Sequence, residues 1–154
     1  MSLGVKQKKT YLNIKDGKIY LRDTAYDFIE GYLKGIELKD REFRGEPVKY
    51  WYIDIMSPSG ELYSLGLPYY SGVAKSLFNS LASAPDFTKQ IKIEPYQSGD
   101  YTKVVVSSGG ERLSWKHSEL PPVEEVNIGG RIVKDDSRRM ALIVTLVDEI
   151  NRII

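Results

Sequence analysis

The chain has 154 residues, enough for one domain with its own core and too few to suggest two. Its formal net charge of +1 argues against coating nucleic acid by bulk charge, while leaving room for a local basic groove. The absence of cysteine excludes disulfides and thiolate metal sites. No apolar run reaches the ~18 residues of a membrane helix and no signal-like h-region is present, so the expectation is a soluble, cytoplasmic protein.

Residues 5–22 open the chain with a hairpin signal, in which Tyr11–Ile14 and Lys18–Leu21 flank Asp16-Gly17. This stretch carries Lys6, Lys8, Lys9, Lys15, Lys18 and Arg22 against a single acid, Asp16. Such a hairpin either solvates its outer face with lysines or forms a basic flap whose cations neutralise phosphates.

The region 26–118 follows. A first strand over Phe28–Lys39 is interrupted by Gly31 and Gly35, which mark a bulge or a tight bend. A hairpin through Asp40–Glu46 leads into Val48–Ser57, and the turn Ser57-Pro58-Ser59-Gly60 returns the chain into Glu61–Leu67. Ser71–Ala84 has helical spacing, with Ser71 as N-cap and Val73, Ala74, Leu77, Phe78 and Leu81 on one face. Gln90–Pro95 and Tyr101–Ser107 are strands around the turn Gln97-Ser98-Gly99-Asp100. Three strands, a helix and two strands is the element order of an OB-fold, a five-stranded Greek-key barrel, with the helix plugging one end.

Beyond it, Ser108–Glu111 turns into Arg112–Lys116, and Pro121-Pro122 ends regular structure and begins a connection. Over 135–154, Met140, Ile143, Val144, Val147, Ile150 and Ile154 recur at helical spacing behind Asp135, Asp136 and Ser137, which suit a helix N-terminus. Leu142 and Leu146 widen that apolar stripe, so the helix packs deeply on the barrel or pairs with another chain. The fold class expected is all-β with added helices: a five-stranded OB barrel, an N-terminal β-hairpin and a C-terminal α-helix in one domain.

Strand alternation sorts the side chains. Trp51, Ile53 and Ile55 belong inside because Asp54 on the other face is costly to bury unpaired, which sets Tyr50 and Tyr52 outward. Ile91 and Ile93 oppose Lys92; Val104 and Val106 oppose Tyr101 and Lys103. Ile29 and Leu33, with Gly31 and Gly35, oppose Tyr32 and Lys34. The candidate binding set is therefore Tyr32, Lys34, Tyr50, Tyr52, Lys92, Tyr101 and Lys103, joined by Lys8 and Lys9. Aromatic rings stack on bases of any identity, and interleaved lysines track phosphates. The same tyrosines are good strand formers that could instead pack beneath the hairpin or the C-terminal helix. Trp51 and Trp115 read as core or hairpin-packing residues.

Catalytic chemistry is not legible. His117 is the single histidine, no P-loop is present, and Gly129-Gly130 lacks the strand-turn-helix setting of a dinucleotide site. Asp135 and Asp136 read as helix N-terminal acids rather than as a cation site. The expectation is a non-enzyme with no cofactor and no metal.

The stretches Phe28-Ile-Glu-Gly-Tyr-Leu-Lys-Gly-Ile-Glu-Leu-Lys-Asp-Arg-Glu-Phe, Lys49-Tyr-Trp-Tyr-Ile-Asp-Ile and Pro95-Tyr-Gln-Ser-Gly-Asp-Tyr-Thr-Lys-Val resemble the OB-fold single-stranded DNA-binding proteins of bacteriophages and prophages. The similarity covers roughly residues 8–120. It implies sequence-tolerant binding and protection of single-stranded DNA in replication or recombination, in the cytoplasm of a bacterial host. Such proteins often recruit partners through a flexible acidic tail. The apolar helix over 135–154 suggests association through that helix instead, as a homodimer or with a replication partner. The competing expectation is a protein-interaction module built on the same barrel and associating through that helix. Sugar binding is a more distant third, and fold alone does not separate them.

Overall fold

The computed structural model describes residues 8–154, so the beginning of the expected basic hairpin, including Lys6, lies outside the described residues. The strands are β1 (Lys9–Lys15), β2 (Lys18–Leu21), β3 (Thr24–Tyr26), β4 (Ile29–Phe43), β5 (Glu46–Met56), β6 (Leu62–Pro68), β7 (Ile91–Ser98), β8 (Tyr101–Ser108), β9 (Glu111–Arg112), β10 (Glu124–Ile128) and β11 (Arg131–Asp135). Helix α1 (Gly72–Leu81) separates β6 from β7, and helix α2 (Ser137–Ile153) follows β11. Among the described residues the fold is mostly β with two helices, α2 being the later in the chain. No helix among the described residues is long and apolar enough to cross a membrane.

The closed five-stranded barrel expected from the sequence is not what forms. Nine strands make one open sheet in the order β3-β2-β1-β6-β5-β4-β7-β8-β9, and β10-β11 form a separate pair. Barrel closure would need β6 beside β8. Strand β1 takes the edge of β6 instead, running parallel to it from Lys9↔Leu62 to Asn13↔Gly66. The N-terminal hairpin is thus part of the sheet rather than a flap above it. Its Leu12 and Ile19 are buried in the common core, so apolar burial accompanies the edge pairing.

Strand β4 is the hub. Its first residues pair with β7 (Ile29↔Ile93, Gly31↔Ile91), and from Tyr32↔Met56 onward it pairs with β5. A Cβ at Gly31 would stand 2.5 Å from the Met56 carbonyl oxygen, so only glycine permits this close approach where the partners change. Between Leu33 and Gly35 the register shifts, and this bulge reverses the alternation. Ile36 then turns inward opposite Ile53. Gly35 lies opposite Asp54 on the outer face, not beside Leu33 on the inner one as simple alternation expects.

The inner faces carry Leu33, Trp51, Ile53, Ile55, Ile91, Ile93, Val104 and Val106, all buried. Helix α1 closes this core with Leu77, Phe78 and Leu81, and Ser71 Oγ caps it by accepting from the Ala74 N–H at 3.0 Å. Trp51 stacks on Tyr69 and meets Phe78 edge-on, with ring centroids 5.4 and 5.1 Å away. Trp115 is half exposed instead. Its neighbours Lys116 and His117 are held through their backbone by Asn79, whose amide accepts from His117 N–H at 2.9 Å and donates to His117 C=O at 2.8 Å.

Helix α2 buries Met140, Ile143, Leu146, Val147 and Ile150 against its own chain. Its Asn151 also finishes the sheet. The side-chain amide accepts from Ile36 N–H at 3.0 Å and donates to Ile36 C=O at 2.9 Å, replacing a neighbouring strand where β7 has left β4. The hairpin β10-β11 stands where the sequence suggested only a connection.

Candidate nucleic-acid interface

The outer faces of β1, β6, β5 and β4 meet in a groove of about 730 Å³. Register places its floor: Tyr52 lies between Gly66 and Glu37, Tyr50 between Pro68 and Lys39, and Asn13 beside Gly66. Arg41 and Phe43, near the tip of the β4-β5 ribbon, form one wall, and Tyr11 and Asn13 of β1 form the other. The ribbon reverses through Arg44-Gly45, both at positive φ, the geometry of a tight two-residue hairpin turn.

Gly66 sets the depth. A Cβ there would lie 3.2 Å from a ring carbon of Tyr52, so the ring rests directly on the strand. Tyr52 meets Tyr11 edge-on at 5.9 Å and lies tilted by 30° to Tyr50 at 6.4 Å. Arg41 stands over the Tyr50 ring at 5.1 Å and Lys39 over the Tyr52 ring at 6.0 Å. The result is a ladder of rings flanked by cations.

The charges are partly matched within the protein. Lys39 pairs with Glu37 at 3.1 Å. Lys9 pairs with Asp54 at 2.8 Å, both partly buried, and this hydrogen bond raises the ammonium pKa above its ordinary 10.5. Asp54 Oδ1 and Ser64 Oγ are buried without a hydrogen-bond partner among the described residues. Arg41 has no ion-pair partner among the described residues. Alternation also sorts the ribbon's charge: Lys39 and Arg41 share the groove face, whereas Asp40 and Glu42 take the opposite one.

Of the side chains expected from the sequence, Tyr50 and Tyr52 line this groove. Lys9 lies on the same face but is engaged by Asp54. Tyr32, opposite Met56, is further along that face, and Lys34 is exposed at the bulge; neither lines the groove. Lys8 is exposed just before β1. Lys92, Tyr101 and Lys103 sit on β7 and β8, outside the groove. There Lys92 lies over the Phe28 ring at 4.3 Å, Tyr101 is exposed at the start of β8 and Lys103 pairs across from Tyr96. Alternation missed Tyr11, Lys39, Arg41 and Phe43. The two glycines of β4 were the available signal, since a bulge between them moves Lys39 and Arg41 to the tyrosine face.

No family model, curated protein or solved structure matches this chain.

Proposed function

We propose that this protein binds single-stranded DNA without strong sequence preference and without catalysis, protecting it during phage-type replication or recombination. The observation that carries the reading is the Tyr11–Tyr52–Tyr50 ladder with Arg41 and Lys39 over its rings in an open groove. Each base stacked on a ring contributes about 1–3 kcal/mol, and any base has a face to offer. The strand order β6-β5-β4-β7-β8, with α1 between the third and fourth in sequence, supports the reading as well. It is the order of an OB barrel opened between its third and fifth strands.

The competing interaction module was to associate through α2. The residues it would use, Ile143, Val147 and Ile150, are spent on the chain's own core. The DNA reading is therefore preferred.

The test is a fluorescence-anisotropy titration of a labelled ~30-nucleotide dT strand, at low and at moderate salt, with duplex DNA and oligo-U as comparators. Expected are saturable binding to dT, weaker binding at the higher salt and little affinity for duplex. No binding to dT at low salt overturns the proposal, and a preference for oligo-U reassigns the groove to RNA.

A further inference from the structure

The outer strands of the large sheet, β3 and β9, have three and two residues, short enough to offer little edge for pairing. The β10-β11 hairpin is different. Each strand has five residues, and among the described residues the two pair only with each other. A lone two-stranded hairpin is marginal in water. This one meets the body at a corner, where Glu124 pairs with Arg138 of α2 at 3.1 Å. Val126, Ile128 and Val133 share one face and Ile132 lies on the other, all four exposed. Exposed apolar residues beside a free strand edge mark a surface that awaits a partner.

The sequence of β11 says which partner. It reads Arg131-Ile132-Val133-Lys134-Asp135, with opposite charges at its two ends. Laid antiparallel against an identical strand and centred on Val133, it sets Arg131 opposite the partner's Asp135, and the reverse. The other strand, β10, carries Glu124 and Glu125 and no cation, so self-pairing there matches no charges. Backbone geometry agrees. Ile128↔Arg131 closes the two-residue turn Gly129-Gly130, so Arg131, Val133 and Asp135 spend their backbone groups on β10. Ile132 and Lys134 then direct theirs to the free edge, where each meets the other's counterpart.

We infer that the free edge of β11 is a homodimer interface, at which a second copy of this chain adds its own β11 across a two-fold axis at Val133. The product is a four-stranded sheet with Val126, Ile128 and Val133 of both copies in one apolar strip. Like other isologous contacts it is closed and does not propagate. The groove is not part of this surface.

The chain has no cysteine, which makes cross-linking diagnostic. Val133→Cys places two thiols across a non-hydrogen-bonded pair, where Cα atoms approach to ~4.5 Å, within disulfide range. Expected are a dimer of the unmodified protein in sedimentation equilibrium without DNA and rapid oxidation of the Val133→Cys protein to a covalent dimer. Val126→Cys, on the strand facing away from the partner, stays uncross-linked under the same oxidant. Arg131→Asp, which sets acid against acid twice, weakens dimerisation about tenfold. A monomer at every concentration tested overturns the inference. So does a Val126→Cys protein that cross-links as fast as Val133→Cys.

Discussion

Tyr52 is held on three sides, by Gly66 beneath it, Tyr11 at its edge and Lys39 above. A base stacks on this ring by displacing Lys39 from its outer face, and loss of the ring should be read as affinity. Tyr52→Ala is expected to weaken dT binding by about 1–3 kcal/mol, and Tyr50→Ala similarly, in the anisotropy titration. Lys92→Ala and Lys103→Ala, outside the groove, should change it less than about twofold, as isolated surface charges do. Gly66→Val tests geometry rather than chemistry. A Cβ already crowds the Tyr52 ring at 3.2 Å, so a branched side chain displaces it, and binding should fall with every tyrosine still present. Unchanged affinity in Gly66→Val would mean that the ring's seat is irrelevant. Tyr50 and Tyr52 were legible because a charged Asp54 fixes which face of β5 is outside. Tyr11 was not, because its place depends on a parallel pairing with residues about fifty positions away. Lys39 and Arg41 escaped because one extra residue at the bulge inverts every later side chain of β4.

At the scale of elements, β4 carries most of the architecture through its two glycines, and they should respond oppositely to the same substitution. Gly31→Ala drives a methyl into the Met56 carbonyl and is expected to cost about 3 kcal/mol in urea unfolding. Gly35→Ala meets nothing within 4 Å, so reduced freedom of the unfolded chain should leave stability unchanged or raise it by up to ~1 kcal/mol. Equal losses at both positions would contradict the passage of β4 between partners at Gly31. Asn151 is the second element-level device. Asn151→Ala strips both hydrogen bonds from Ile36 and should cost about 1–3 kcal/mol, read by the same unfolding curves. These contacts show where sequence reasoning stops. Periodicity and capping are local, and they located α1, α2, β5, β7 and β8 to within a few residues. The capture of β6 by β1, and the capping of β4 by an amide 115 residues later, are pairings over long loops that no local pattern encodes. The β10-β11 hairpin was missed for the opposite reason. Its strands bury neither face, so their apolar residues fall on both sides and the Pro121-Pro122 pair reads as the end of structure.

For the molecule as a whole, charge decides how DNA binding should depend on salt. A net charge of +1 supplies no long-range pull. The groove's cations are largely matched, Lys9 by Asp54 and Lys39 by Glu37, while Arg41 has no acid partner among the described residues. Neutral pH does not release Lys9. Its folded pKa lies above 10.5, so the stabilisation from its pair is present below that value and is lost only as pH rises through the folded one. Two phosphate contacts, from Arg41 and from Lys39 once it exchanges Glu37 for DNA, correspond to a slope of log K against log salt near −1.4, at about −0.7 per phosphate on a single strand. This is shallower than a basic flap of lysines would give. Arg41→Ala should halve the slope to about −0.7 while the Tyr50 and Tyr52 contributions persist, so affinity at high salt falls less than affinity at low salt. A slope near −4 for the unmodified protein would mean that cations well outside the groove, such as Lys8, Lys92 and Lys103, engage the strand. The DNA path would then run across β7 and β8 as well, along the wider face that alternation alone had marked.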